Sequence, residues 1–396
     1  MTPDSARRSS FGFGLAAGLV LGLALAALAA WLLGAFDTDA DDPVVQAREV
    51  IEDNYFRAPD TGRLDEASIG AMVDELRRRY DDRFSHFFTR EQLREFIAAT
   101  EGRFSGVGLT VTEVSKGLRV ATVFPDTPAE QAGLAEGDLI VGVDGESIAG
   151  VPSDVSTAQI KGPPGTEVDL RVVPADGGRS RVLTVERADV RIPAVKGAIR
   201  RAPGGEKVAY VQLFGFSSGA HGELRDQLED LYRRGAESVV LDLRDNGGGL
   251  LNEAVLTSSV FLEDGNVAST RSRTQGDRDY PAAGDALDPR PTVVLVNRGT
   301  ASASEILTAA LQQNGLAEVV GTRTYGKGTF QEVIELPAGG ALDLTIGEYL
   351  TSDGSSILGT GVRPDVRVAD DPETQKDDEA LERALEVVGE LPPAQP

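Results

Sequence analysis

A serine and a lysine carry the first chemical suggestion in this sequence. The stretch Asn297-Arg298-Gly299-Thr300-Ala301-Ser302-Ala303-Ser304-Glu305 puts a hydroxyl where a helix is about to start. Further on, Tyr325-Gly326-Lys327-Gly328-Thr329-Phe330-Gln331 puts a lone lysine in a glycine-flanked turn. A hydroxyl nucleophile needs a base to take its proton. With only two histidines and no cysteine in 396 residues, a serine–lysine pair is the economical route to covalent catalysis. Lysine at its ordinary pKa of about 10.4 is almost wholly protonated at pH 7. It must be desolvated toward roughly 7–8 to serve as the base. Tyr325, Gly326, Gly328 and Phe330 bring no charge close to Lys327 in sequence. In an extended segment Gln331 points to the same face as Lys327, so it can hold the amine by a neutral hydrogen bond.

The nucleophile also needs a place for the oxyanion of a tetrahedral intermediate. A helix start leaves backbone N–H groups without intrahelical partners and favours negative charge there. The N–H of Ala303 is therefore one natural donor. A second can come from the loop Asp245-Asn246-Gly247-Gly248-Gly249, which follows an apolar strand pattern at Val239–Leu243. Its missing side chains let the backbone approach a substrate closely. Losing one such donor typically costs about 3–4 kcal/mol of transition-state stabilisation. Other readings of these residues exist. Ser302-Ala303-Ser304 is also what a plain helix cap looks like. Gly321-Thr322-Arg323-Thr324-Tyr325-Gly326-Lys327-Gly328 comes close to a phosphate-binding loop. Glycine stands where that motif needs Ser or Thr, and Phe330–Leu336 alternates like a strand instead of opening a helix. The nucleotide reading is rejected. No metal or cofactor is expected: there is no thiolate, and His86 and His221 lack a second imidazole or carboxylate cluster in sequence. His86 reads as packed or on the surface, His221 as lying on a surface helix.

These residues need a scaffold. Strands at Lys207–Leu213, Ser238–Leu243, Thr292–Val296 and Ala317–Gly321 alternate with helices at Gly222–Arg234, Leu250–Phe261 and Ser302–Gln313. That order predicts an α/β domain over residues 189–368, with its site at the strands' carboxyl ends. Residues 104–188 change to short strands and turns, with helices at Pro128 and over Ser153–Ile160. Before them, residues 37–103 read as an acidic linker and three helices with apolar residues at helical spacing. Residues 369–396 form an acidic tail with one helix, Asp378–Val388. At the front, Phe11–Phe36 is uncharged and apolar, about 39 Å as a helix at roughly 1.5 Å per residue, enough to span a bilayer. Arg7 and Arg8 precede this run and Asp37, Asp39, Asp41 and Asp42 follow it. The charge bias predicts a cytoplasmic N-terminus at residues 1–10, a membrane anchor at 11–36, and everything later outside. A cleavable signal peptide is the rival reading, with small residues at Ala27–Ala30; Trp31, placed as an interfacial aromatic, favours the anchor. The formal charge of −24 argues against nucleic acid and anionic membrane surfaces as partners.

The module at 104–188 resembles a PDZ domain in circularly permuted form, on the strength of Ala132-Gly133-Leu134-Ala135-Glu136-Gly137-Asp138-Leu139-Ile140. That resemblance implies that Val107, Gly108 and Leu109 hold the terminal carboxylate of an extended peptide. From Val44 to Val368 the chain resembles the carboxy-terminal processing proteases, also called tail-specific proteases. The motifs are Leu241–Leu250, Gly299–Glu305, Tyr325–Gln331, Ile160–Thr166 and Gly361-Val362-Arg363-Pro364-Asp365. The resemblance implies a crotonase/Clp-protease-like core with an inserted PDZ domain. It also implies Ser302 as nucleophile, Lys327 as general base, Gln331 as its orienting partner, and Ala303 with Gly248 (favoured over Gly249) as oxyanion donors. The expectation is a membrane-anchored, extracytoplasmic serine endopeptidase working through an acyl-enzyme on proteins with apolar C-terminal tails. A homo-oligomer or a regulatory adaptor is compatible with this. The alternatives are a PDZ binding scaffold with a latent peptidase domain, and a retinoid-binding relative of the same fold, which would not need the lysine.

Overall fold

Acidic caps start the first helices. The Asp42 side chain accepts the Val44 N–H at 2.8 Å ahead of α1 (Pro43–Asn54), and that of Asp60 accepts the Arg63 N–H ahead of α2 (Thr61–Tyr80). These caps replace water on donors the helix leaves unpaired. The structure, a computed structural model, describes residues 42–151, 153–369 and 378–393. The expected membrane span at Phe11–Phe36 lies outside them; no helix among the described residues is long and apolar enough to cross a membrane. The chain divides into two units, residues 1–82 and 83–396. The boundary falls inside the region 37–103 read as one subdomain. The reason is a strand not foreseen there: β1 (His86–Phe88) pairs with Ala341, Leu342 and Asp343, far along the chain, and carries α3 (Arg90–Thr100) with it. His86 is exposed on β1.

The next segment of the larger unit forms the PDZ-like module. It comprises β2 (Arg103–Gly106), β3 (Leu109–Val114), β4 (Gly117–Val123), α4 (Pro128–Gln131), β5 (Leu139–Val143) and β6 (Glu146–Ser147). It continues with α5 (Ser153–Ile160), β7 (Glu167–Val173), β8 (Arg181–Glu186) and β9 (Ala188–Arg191). The sheet runs β3-β4-β5-β7-β8, with β6 on β5, while β2 pairs with β9 and brings the module's two ends together. Alternation places Val168, Leu170 and Val172 inward, against Leu118, Ile140 and Ile148. The buried Arg187 donates to the carbonyls of Gln159, Ile160 and Glu167, fastening α5 to the sheet.

The α/β core follows. Its elements are β10 (Val195–Arg201), β11 (Lys207–Leu213), α6 (Ala220–Arg233), β12 (Ser238–Asp242), α7 (Leu251–Ser259), β13 (Asn266–Ser272) and β14 (Arg278–Pro281). Then come β15 (Thr292–Val296), α8 (Ala303–Gln313), β16 (Glu318–Gly321), β17 (Thr329–Glu335), β18 (Ala341–Thr351), β19 (Val366–Arg367) and α9 (Glu379–Glu390). One sheet runs β10-β11-β12-β15-β16-β19, parallel except for β10. Strands β12 and β15 are buried at every residue, as parallel strands covered on both faces must be. Helices α6 and α8 cover one face through Leu224, Leu228, Leu231, Ile306 and Leu307. Helix α9 covers the other, setting Ala380, Ala384, Val387 and Val388 on Val208, Val240, Val293, Leu295 and Val320. A second, antiparallel sheet places β13 and β17 along β18, with β14 beside β13.

Candidate active site

Ser302 ends the turn that leaves β15, and its backbone is strained. Its φ of 58° and ψ of −120° lie where a non-glycine residue rarely sits. Neighbouring bonds enforce that conformation. The Ala301 N–H donates to the Asn246 carbonyl at 3.0 Å, and the Ser304 hydroxyl donates to the same oxygen at 2.9 Å. Asn246 in turn donates through its side-chain amide to the Leu213 carbonyl at 2.8 Å. The serine's turn is thereby tied to the glycine loop and to the end of β11. Asn297 adds a second tie: its side-chain oxygen accepts the Asp245 N–H, and its amide donates to the Asp245 carboxylate, both at 2.9 Å.

Glu305 joins the two halves of the site. Its carboxylate is fully buried in the first turn of α8. One oxygen accepts the Ser302 N–H and the Lys327 N–H, each at 2.9 Å. The other accepts the Gly326 N–H at 2.7 Å and the Thr324 hydroxyl at 2.5 Å. A buried carboxylate is tolerable only when its lone pairs are satisfied, and here four donors do so. The result is a rigid link between the backbone of the serine and that of the lysine. The sequence reading missed Glu305, although Ser302-Ala303-Ser304-Glu305 has the capping-box spacing that could have revealed it.

The Lys327 ammonium sits over the ring of Phe84, 4.6 Å from its centroid. Burial pushes its pKa below the ordinary lysine value, partly opposed by the charge of Asp343. No carboxylate forms a salt bridge with it among the described residues. Strand β18 supplies the remaining wall. The Tyr349 N–H donates to the Gly328 carbonyl at 2.7 Å, and its ring packs on Phe330 at 5.3 Å. Burial holds the Tyr349 phenol protonated well above its usual range, with the Ser302 hydroxyl beside it.

The oxyanion donors divide. The Ala303 N–H has no acceptor among the described residues, as expected of a helix start facing a site. Gly248 lies against the serine: a Cβ built on it would stand 2.9 Å from the Ser302 Cβ and 3.0 Å from the Ala303 nitrogen, and its φ is 103°. Only glycine fits there. Its N–H, however, donates to the Asn246 side-chain oxygen at 2.9 Å, while that of Gly249 has no acceptor among the described residues. Gln331 also differs from expectation. Its amide donates to Thr345 at 3.1 Å and Thr329 at 3.4 Å and makes no hydrogen bond to Lys327. Lys327 precedes β17 and lies outside its alternation, and the bulge beside Gln331 leaves Ile346 of β18 without a partner on β17.

In the PDZ-like module, Val107, Gly108 and Leu109 form one loop at the start of β3. The Val107 carbonyl accepts the Ala129 N–H, and the Gly108 carbonyl accepts that of Phe124. The N–H groups of Val107 and Gly108 have no acceptor among the described residues. Leu109 faces Val123 as a non-hydrogen-bonded pair, which turns its N–H toward the open side of β3, an edge strand. Gly108 has φ 91°, and a Cβ there would meet Thr127 at 2.3 Å. His221 lies at the start of α6, its ring Nδ1 2.8 Å from the Glu253 carboxylate. No cluster of metal-ligating side chains occurs among the described residues.

Residues 207–368 match the model of peptidase family S41, and residues 97–173 that of the PDZ domain. The chain is 34% identical over 326 residues to a carboxy-terminal-processing protease of Bartonella bacilliformis, covering 81% of this chain and 73% of the relative. It is 32% identical over 327 residues to the carboxy-terminal processing protease CtpA of Bacillus subtilis, covering 82% and 68%. Among solved structures, the photosystem II D1 C-terminal processing protease is 31% identical with a TM-score of 0.50, covering 87% of this chain and 96% of that one.

Proposed function

The chain belongs to peptidase family S41, with the carboxy-terminal processing proteases, and we propose that Ser302 and Lys327 are its catalytic dyad. The observation that carries this reading is Glu305, whose one carboxylate fixes the backbone of both residues. In the neutral form favoured by burial, the Lys327 amine takes the proton from the Ser302 hydroxyl. The Ser302 Oγ then bonds to the scissile carbonyl carbon, and the carbonyl π pair moves onto oxygen. That oxyanion meets the Ala303 N–H and one glycine N–H of the loop. The Gly249 N–H has no other acceptor among the described residues, whereas Gly248, which lies against Ser302, must first release Asn246. Collapse breaks the C–N bond, and the Lys327 ammonium returns its proton to the departing amine. A water molecule, deprotonated by Lys327, hydrolyses the ester and frees Ser302. Gln331 serves by holding the β17–β18 pair behind Lys327 through Thr345.

The free N–H groups at Val107, Gly108 and Leu109 support capture of a substrate's C-terminal carboxylate, with the tail added along β3. Substrates are then proteins with apolar C-terminal tails. The charge pattern around Phe11–Phe36 supports a membrane anchor with the catalytic unit outside the cytoplasm.

Two measurements test the proposal. Ser302→Ala and Lys327→Ala should each abolish cleavage while leaving the folded state intact by circular dichroism; turnover in both would refute the dyad. A substrate with a free apolar C-terminus should be cut faster than its amidated counterpart. Equal rates would remove the PDZ-like module from recognition, and binding without cleavage would make the chain a scaffold.

A further inference from the structure

On a chain of formal charge −24, a cavity ringed by arginines calls for an explanation. Arg298, Arg323, Arg363 and Arg367 line one cavity of about 590 Å³, together with Thr322 and Pro364. All four arginines are exposed, and none forms a salt bridge among the described residues. The acidic residue between them in sequence, Asp365, is engaged elsewhere. Its oxygens accept the Gln312 amide at 2.9 Å and the Val319 N–H at 2.8 Å. Asp245, near the Arg298 turn, is held by Asn297. Four guanidiniums facing one concavity repel one another unless an anion joins them, and the planar fork of arginine matches phosphate oxygens in pairs.

We propose that this cavity binds a multiply charged phosphate group, of the phosphomonoester or pyrophosphate class. A compact ligand suits the geometry better than an acidic peptide, because the arginines surround a hollow and do not follow a strip. Thr322 adds a neutral hydroxyl at the wall, which phosphate oxygens accept. The size falls within the range of small-ligand sites.

The position gives binding a consequence. Arg298 belongs to the turn that delivers Ser302, and Arg323 to the segment that delivers Lys327; the Tyr325 N–H already donates to the Thr300 carbonyl between them at 2.9 Å. A phosphate bridging Arg298 and Arg323 clamps the two turns together and stiffens the dyad. That consequence rests on the peptidase reading, whereas binding does not.

The test is calorimetric titration of inorganic pyrophosphate into the full chain in neutral detergent, at constant ionic strength, with peptidase rates measured in parallel. One pyrophosphate per chain is expected. Arg323→Glu and Arg367→Glu should each weaken it at least about tenfold, and Arg367→Lys, which keeps the charge but loses the fork, by less. Arg179→Glu, an equal charge change on an exposed loop of the PDZ-like module, should leave it unchanged. Far-UV circular dichroism confirms that each variant folds. Competition by phosphatidate vesicles, but not phosphatidylcholine vesicles, would identify a lipid headgroup as the source; pyrophosphate binding without vesicle competition would identify a soluble phosphate. Absence of saturable binding, an equal loss in Arg179→Glu, or tighter binding of hexa-aspartate would overturn the proposal. Binding without any change in cleavage would remove only the clamp, and cleavage that survives in Ser302→Ala would count against the dyad alone.

Discussion

Phe84 places two opposing effects on one ammonium. Its ring face attracts the Lys327 charge, while its bulk keeps water away from it. The net direction is toward the neutral amine, with burial outweighing the charge of Asp343. Cleavage should therefore rise with pH through a Lys327 pKa below the ordinary 10.5. Phe84→Ala admits water and should move that limb of the kcat/KM profile to higher pH. Phe84→Leu keeps water out but removes the ring face, and should move it to lower pH. Shifts in the same direction for both would show that the ring does not act on the lysine in this way. The linkage also has a sign for stability. The unfolded chain binds the proton that folded Lys327 sheds, so this residue's contribution is complete above about 10.5 and declines as pH falls to the folded value. At this scale the sequence offered Ser302 and Lys327, the pair proposed above. It did not show Phe84, which reaches Lys327 from a segment far away in sequence, nor Glu305, whose work appears only when Gly326 and Lys327 fold back onto α8.

At the scale of elements, the last helix is fastened to the start of the glycine loop by an arginine. Arg244, two residues before Asn246, donates to the fully buried Asp242 at 2.8 Å and to Asp378, the N-cap of α9, at 2.7 Å. Burial alone would lower the Arg244 pKa, but its hydrogen bonds to the two carboxylates outweigh that and raise it. The two carboxylates should differ in cost. Arg244→Ala strands Asp242 without its main partner and should cost about 3–5 kcal/mol. Asp378→Asn touches a partly solvated pair and should cost about 1 kcal/mol or less. Chemical denaturation of both variants checks the order; equal losses would contradict it. Arg244 also holds the Asp378 carboxyl below its ordinary value against the opposing effect of burial. The stability from Asp378 is thus present above the normal carboxylate range and is lost as pH falls through the folded value. Four of the five parallel strands, and their helices, were legible from apolar runs; the two-residue β19 was not. The antiparallel sheet of β1, β13, β14 and β18 was not, because its pairs join residues as distant as His86 and Asp343, a separation that periodicity does not encode.

For the whole molecule, charge is the dominant long-range property. With 63 acidic and 39 basic residues, the surface attracts cationic segments and repels anionic ones. Substrates with basic residues near an apolar tail should associate faster than acidic counterparts at low salt. The advantage should shrink as ionic strength rises and the screening length falls to about 8 Å at 0.15 M. Stopped-flow association of two peptides differing only in those residues would decide it, and identical salt profiles would rule steering out. The clasp between Arg244 and Asp378 has a consequence in time as well as space. During synthesis the serine, the lysine and both candidate glycines are made before Asp378, so the glycine loop is made while its last support is still missing. A chain stopped before Asp378 would hold every proposed reactive group and lack the helix that covers one face of the parallel sheet. On this arrangement the core of the molecule is closed last, by a helix made after the site it stands behind.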